Sequence, residues 1–181
     1  MDPDTHSGFA IWLTGLPASG KSAVTAELTR RLRRAGLRVA VLESDAMRQQ
    51  FPTSTYEAKD REYFYTALAF IGCVLVQNGT TVLFDATANR RSFRDRARHQ
   101  IEKFLEIYVD TPLEVCTHRD PKGIYRKGRT GELHEVPGLQ VEYEPPLHPD
   151  LVIHGEIEDP ATSANRIVEL LRARKFLAES V

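Results

Sequence analysis

Eight consecutive residues near the start of the chain have the types and spacing that phosphate binding requires. Residues 15–22 read G-x-x-x-x-G-K-S, between an apolar run at residues 9–14 and a stretch with helical spacing of apolar residues. Glycines in such a loop let backbone N–H groups converge on a polyphosphate, and the following helix adds the positive end of its dipole. Lys21 would reach the β- and γ-phosphates, and the Ser22 hydroxyl would bind the bridging Mg²⁺. The predicted phosphate contacts are Gly15, Leu16, Pro17, Ala18, Ser19, Gly20, Lys21, Ser22 and Ala23.

Length and charge limit the classes of partner. A chain of 181 residues fits one domain, and a formal net charge of −1 offers no overall attraction to nucleic acid or an anionic membrane. Since no apolar stretch approaches the ~20 residues that span a bilayer, we expect a cytoplasmic domain over residues 1–181. Cys73 and Cys116 fall in apolar helical patterns and are predicted core thiols, with a redox role left open.

Segments with strand and helix patterns alternate along the chain. Such alternation predicts a three-layer α/β fold, a parallel sheet flanked by helices, as in P-loop kinases. Ser54 and Glu57 have the spacing of a capping box, and Thr111 is the predicted N-cap of a helix with Pro112 at its first position. The predicted strands are residues 9–14, 39–42, 81–84, 104–109 and 151–153, of which residues 39–42 are expected to be short and buried. The predicted helices follow residues 22, 54, 92, 111 and 160.

Regular alternation fails between residues 119 and 150. This segment is rich in glycine, proline and basic residues, Lys122 and Arg129 among them. Phosphoryl transfer needs water excluded, and the γ-phosphate charge stabilised, once both substrates are bound. We therefore interpret residues 120–146 as a lid whose Lys122 and Arg129 stabilise the transferring phosphoryl group. A solvated surface loop is the alternative.

Residues 110–132, DTPLEVCTHRDPKGIYRKGRTGE, closely resemble the corresponding segment of adenylylsulfate (APS) kinases. Gly138-Leu139, Tyr143-Glu144 and Pro146 continue the match, and with the phosphate loop the resemblance covers about residues 9–175. These enzymes transfer the γ-phosphate of MgATP to the ribose 3′-hydroxyl of APS and form PAPS in sulfate assimilation. The resemblance implies an APS kinase that uses ATP and Mg²⁺, acts on a small molecule and forms a homodimer.

The resemblance also implies roles for residues on the acceptor side. Ser44-Asp45-x-x-Arg48 stands where the family has G-D-N-x-R. Asp45 would orient the acceptor hydroxyl or a metal-bound water, and Arg48 would hold the anionic acceptor. Tyr56 falls where a phenylalanine stacks on the acceptor's adenine. The predicted acceptor contacts are Asp45, Arg48, Tyr56, Arg61, Arg91 and Lys122, and the predicted metal ligands are Ser22 and Asp45.

Several acceptor-side positions depart from the family pattern. Two family arginines are absent from residues 63–67, and Ala-Thr-Ala-Asn at residues 86–89 replaces Phe-Ile-Ser-Pro. Val136 takes the place of a second stacking aromatic. Asp85, at the end of a predicted strand, looks like the aspartate with which other small P-loop kinases organise Mg²⁺ or the acceptor, although a turn or cap is the alternative. Phosphoryl transfer is therefore better supported than APS as the acceptor.

The predicted catalytic residues are Lys21, Asp45, Asp85 and Lys122. Two other functions stay open. One is a kinase of another hydroxylated nucleotide or phosphorylated metabolite, and the other is a regulatory switch that hydrolyses ATP slowly and acts through a protein partner. The arginines at residues 90–98 are interpreted as a solvated helix face, with only Arg91 reaching the acceptor.

Overall fold

The computed structural model describes residues 8–51 and 57–178. Within these ranges, five parallel strands form one sheet in the order β2-β3-β1-β4-β5. The strands are β1 Ala10–Thr14, β2 Val39–Glu43, β3 Thr81–Asp85, β4 Phe104–Asp110 and β5 Leu151–His154. The helices are α1 Lys21–Arg34, α2 Ser44–Arg48, α3 Ala58–Gln77, α4 Arg91–Gln100, α5 Leu113–Arg119, α6 Ile124–Thr130 and α7 Pro160–Ala173.

Helices cover both faces of the sheet, so the predicted three-layer α/β fold is confirmed. Because successive side chains of a strand point to opposite faces, β1 contributes to two cores. Trp12 packs with side chains of α3 and α4, whereas Leu13 packs with side chains of α1 and α7. Because all five strands are parallel, their carboxyl ends lie at the same edge of the sheet, next to the loops that follow them.

Trp12, the only tryptophan of the chain, lies in the core between the sheet and helices α3 and α4. Its ring stacks on Phe84 with the ring centroids 4.4 Å apart, and its indole N–H donates to the Ala86 carbonyl oxygen at 3.0 Å. A Cβ on Gly72 would lie 2.1 Å from the Phe84 ring. Glycine at this position thus lets α3 approach the stacked rings.

Three local predictions were wrong. β2 is an edge strand and only partly buried, with Val41 exposed, because a neighbour covers it on one side alone. Helix α3 begins at Ala58 with Glu57 as its N-cap, so Glu57 does not close a capping box; Ser54 lies outside the described residues. Helix α5 has Pro112 as its N-cap.

The segment predicted to be irregular contains the helix α6. Glycines at positive φ flank this helix, Gly123 at 67° and Gly131 at 78°, so the chain can enter and leave it sharply. Cys73 and Cys116 are buried, as predicted. None of the helices described here combines the length and apolar character needed to cross a bilayer. A single domain over residues 1–181 stays a prediction.

Candidate active site

The phosphate loop between β1 and α1 has a backbone that few residues other than glycine adopt. Gly15, Ala18 and Gly20 have φ values of 150°, 63° and 107°. A Cβ on Gly15 would lie 2.4 Å from the Val109 carbonyl oxygen of β4, so a side chain there would displace the loop. Thr111, predicted to cap a helix, instead donates its hydroxyl to the Ser19 carbonyl oxygen at 2.9 Å. The end of β4 and the residue that follows it therefore hold the phosphate loop in place.

Lys21, in the first turn of α1, is 7% exposed. Its ammonium group donates to the carbonyl oxygens of Gly15 at 3.0 Å and Leu16 at 2.7 Å, and approaches the Ser19 hydroxyl at 3.4 Å. Burial lowers the pKa of Lys21 to about 8, and the negative charge of Asp85 opposes this change. The neutral carbonyls only partly compensate the buried cation, which favours an anionic ligand at this point.

Two carboxylates stand at the ends of neighbouring strands. Asp85 ends β3 and is 5% exposed; burial raises the pKa of Asp85, whereas Lys21 and a hydrogen bond from Ser22 oppose the rise. Glu43 ends β2 opposite Asp85 in the ladder and accepts from the Ala46 amide at 2.8 Å. The strand ends thus place oxygen ligands beside the phosphate loop.

A cavity of about 370 Å³, the donor cavity, lies between the phosphate loop and these strand ends. Sequence reasoning missed Arg119, which borders the cavity at the end of α5 and donates to the Gly155 carbonyl oxygen at 2.9 Å. The site residues that border the donor cavity are Pro17, Ala18, Ser19, Gly20, Lys21, Ser22, Ala23, Asp45, Asp85 and Lys122.

A smaller cavity of about 100 Å³, the acceptor cavity, adjoins the donor cavity. Ser44, Asp45 and Thr87 border both cavities. Arg48 is 6% exposed, and its guanidinium carbon lies 4.1 Å from the centroid of the Phe64 ring. The remaining residues that border the acceptor cavity include Arg48, Arg61, Tyr65, Asn89, Leu133, His134, Glu135 and Val136.

The predicted lid contacts both cavities. The Lys122 ammonium lies 2.7 Å from an Asp45 carboxylate oxygen and 3.5 Å from one of Glu43, and the hydrogen bond to Asp45 raises the pKa of Lys122. Tyr125 of α6 donates its hydroxyl to the Pro17 carbonyl oxygen at 3.1 Å. In this arrangement Lys122 reaches the point where the cavities meet.

The last part of the predicted lid is fastened to the loop between β3 and α4. The Asn89 side-chain amide donates to the Glu142 carbonyl oxygen at 3.0 Å. The Asn89 carbonyl oxygen accepts from the Glu144 amide at 2.8 Å. The predicted segment therefore divides into residues 120–141, the lid, and residues 142–145, the strap.

The arginines of α4 also hold the strap, which corrects the interpretation of these arginines as a solvated face, while the acceptor contact of Arg91 stays a prediction. Arg91 borders neither cavity: its side chain donates to the Pro145 carbonyl oxygen at 3.0 Å and lies 3.7 Å from the Glu144 carboxylate. Arg94, interpreted as solvated, is 1% exposed, pairs with Glu106 at 2.6 Å and donates to the Glu144 carbonyl oxygen. Both side chains therefore hold the strap against α4. For Arg91, the sequence had predicted a contact with the acceptor.

Two further predicted contacts, Arg129 and Tyr56, stay predictions. Arg129 is exposed on α6 and borders neither cavity, because Tyr125 and Gly128 form the buried side of that helix. Tyr56 lies outside the described residues. Among the residues described, no group of three or more His, Cys, Asp or Glu side chains is placed to hold a metal ion.

Comparison with known proteins finds relatives of one family that match nearly the whole chain. The family model for adenylylsulphate kinase matches residues 7–154. The adenylyl-sulfate kinase of Rippkaea orientalis is 36% identical over 177 residues, which cover 97% of this chain and 98% of the relative. That of Halothermothrix orenii is 35% identical over 173 residues, covering 95% and 94%.

Solved structures extend this likeness to three dimensions. A Mycobacterium tuberculosis APS kinase in complex with AMPPNP and APS has a TM-score of 0.86 at 32% identity, covering 92% of this chain and 98% of its own. Shikimate kinase from Aquifex aeolicus, with a TM-score of 0.54 at 16% identity, shares the fold alone. With its phosphate loop, its paired cavities and these relatives, the chain belongs to the adenylylsulphate kinase family.

Proposed function

We propose that this protein is an adenylyl-sulfate kinase that transfers the γ-phosphate of ATP to the 3′-hydroxyl of APS and forms PAPS for sulfate assimilation. The observation that carries the proposal is the position of Asp45, which borders both the donor and the acceptor cavity. The Mycobacterium tuberculosis relative binds AMPPNP and APS together. Two substrates on either side of one carboxylate is the arrangement that direct transfer requires.

On the donor side, the loop amides and Lys21 hold the phosphates of ATP. Since phosphoryl transfer needs little covalent participation by the protein, positioning and charge stabilisation supply most of the catalysis. Lys21 is preorganised for this role because its ammonium is already fixed by loop carbonyls. Lys122 stabilises the transferring group from the lid, and Arg119 adds a second cation at the mouth of the cavity.

The residues beside the phosphate loop suit Mg²⁺. The Ser22 hydroxyl and the carboxylates of Asp45 and Asp85 are oxygen donors that border the donor cavity. Mg²⁺ keeps several waters and is bound through one or two carboxylates together with substrate phosphates, so this small donor set suffices. When bound, Mg²⁺ neutralises charge on the transferring phosphoryl group.

On the acceptor side, Arg48 and Arg61 supply two buried guanidinium groups for the phosphosulfate. Asp45 accepts the proton of the 3′-hydroxyl as the new bond forms. Tyr65 borders this cavity in the segment where two family arginines are absent, and its hydroxyl accepts from the Ala88 amide at 3.1 Å. We therefore expect a higher KM for APS than typical family members have. Stacking by Tyr56 stays a prediction.

The test is an ADP-release assay with ATP, Mg²⁺ and APS, run beside a panel of nucleotides, sugars and sugar phosphates. We expect APS to stimulate ADP release and PAPS to appear as the product. Asp45→Asn should abolish most of both signals, whereas Asp95→Asn on the exposed face of α4 should not. Stimulation by another acceptor without PAPS would contradict the proposal, and no stimulation by any acceptor would favour the regulatory switch.

A cytoplasmic location and a homodimer stay predictions. For the dimer, α3 offers an apolar stripe of Tyr63, Phe70 and Val74, which are 70%, 62% and 40% exposed. These residues are spaced seven and four apart and therefore share one side of the helix. Sedimentation of the protein and of Phe70→Asp would show whether a second copy covers this stripe.

A further inference from the structure

We propose that Glu135 of the lid is an internal counter-ion for Arg61, and that the anionic acceptor must displace it. This inference rests on the proposed function, in which Arg61 binds the acceptor's phosphosulfate. Glu135 would then set the affinity for anionic acceptors without contacting the reacting atoms.

The contacts of the Arg61 guanidinium carry this inference. The Arg61 side chain is 7% exposed, and one nitrogen donates to the Asn89 side-chain oxygen at 3.0 Å. Its other terminal nitrogen donates to the Glu135 carbonyl oxygen at 2.5 Å and lies 3.5 Å from the Glu135 carboxylate. The described partners of this nearly buried cation thus include a neutral amide, Asn89, and a carboxylate of the lid, Glu135.

The backbone at Glu135 is shaped for this contact. Glu135 has a φ of 59°, in the left-handed region that residues other than glycine seldom adopt. Such conformations persist where the surroundings hold them, and they concentrate at functional sites. Here the turn directs the backbone carbonyl and the carboxylate of one residue to the same guanidinium.

The size of the acceptor cavity shows why the contact must break. Its volume of about 100 Å³ is bordered by lid residues 133–137 as well as by Arg61. Sites for small molecules usually measure about 300 Å³ or more, so an acceptor of nucleotide size needs these lid residues to move. Moving them separates Glu135 from Arg61. A buried guanidinium that loses its carboxylate is strongly destabilised unless another anion replaces it.

The test compares Glu135→Gln with Glu132→Gln, which removes a charge from the same lid. Glu132 is exposed and accepts from the Thr130 hydroxyl at 2.7 Å. We expect the KM for APS to fall about three- to tenfold in Glu135→Gln, with kcat unchanged, because the acceptor no longer displaces a carboxylate. Adenosine, which carries no anion, should show no such gain. Glu132→Gln should match the wild type.

A second measurement reads the contact without any acceptor. In the free protein, amides of residues 133–137 should exchange hydrogen faster in Glu135→Gln than in the wild type or Glu132→Gln, and the melting temperature should fall. A residue with a merely structural role would lower stability without improving the KM. Equal exchange and equal KM in all three proteins would overturn the inference. A wild type that makes no PAPS, with the exchange difference present, would overturn the proposed function and leave Glu135 as the counter-ion.

Discussion

The donor and acceptor sides of the site are built in different ways. The donor groups come mainly from residues 15–23, one strand-loop-helix unit whose geometry is set by its own backbone. The acceptor cavity is assembled from α2, α3, the loop after β3 and the lid, which are far apart in the sequence. A local site tolerates few substitutions, whereas an assembled site can exchange one contact for another. Family departures accordingly concentrate on the acceptor side.

The largest effect is expected on the donor side, which is formed mainly by one short segment of the chain. Lys21→Ala should lower kcat/KM at least about a hundredfold, the scale of one missing preorganised charge, because no neighbouring group can take its place. Steady-state kinetics would measure the loss, with Lys175→Ala, an exposed lysine after α7, as the control. Near-normal turnover in Lys21→Ala would mean that the donor side is not the fixed part of the site.

On the acceptor side, which is assembled from distant segments, we expect substitutions to change the KM for APS. Arg48→Lys keeps the charge but loses the planar fork and the contact with the Phe64 ring, so the KM for APS should rise about tenfold while the KM for ATP stays unchanged. Arg126→Lys, on the exposed part of α6, is the matched control. An equal rise in both KM values would show that the two sides are not separable.

Lys21 should also affect stability in the absence of substrates. Burial lowers its pKa from 10.5 to about 8, so the unfolded chain binds more protons than the folded protein between these values. The contribution of this group to the free energy of unfolding therefore rises with pH across that window. Lys21→Met should raise the free energy of unfolding at pH 7 by ~1 kcal/mol and abolish this dependence. Urea titrations at pH 7 and above pH 8 would measure both, and a destabilised variant would contradict the assignment.

The smallest expected effect is a difference in hydrogen exchange between the lid and the strap. Amides of residues 124–130, in α6, should gain protection from hydrogen exchange when AMPPNP and APS are added together. Residues 142–145 should change little, because Asn89 already makes hydrogen bonds with the backbone of Glu142 and of Glu144. A strap that gains as much protection as the lid would restore the longer lid expected from the sequence.

The sequence was sufficient where structure is local. The phosphate loop, the positions of the strands along the chain and the closing helix follow from motifs and periodicity within short windows. The α4 arginines could not be assigned in this way, because a run of like charges usually marks a solvated face. One available signal was Glu106, a carboxylate inside the apolar strand β4, which needs a buried cation and pairs with Arg94.

The other contacts that the sequence did not reveal also involve partners distant in sequence. Arg91, whose acceptor contact was expected from the family resemblance, has described contacts with the strap. Arg119 was missed because its position beside the phosphate loop depends on how α5 packs at the sheet edge. Thr111 had the sequence of a helix cap, but the Ser19 carbonyl oxygen is its partner. In each case the deciding contact is tertiary, and no short window of the sequence contains both partners.

The indole of Trp12 makes the protein its own optical probe. Its hydrogen bond ends on Ala86, directly before Thr87, which borders both cavities. With no second tryptophan in the chain, its fluorescence comes from one known place. Emission and quenching recorded while ATP and APS are mixed with the unlabelled protein would therefore report, in real time, on any change at the loop after β3, which borders both cavities.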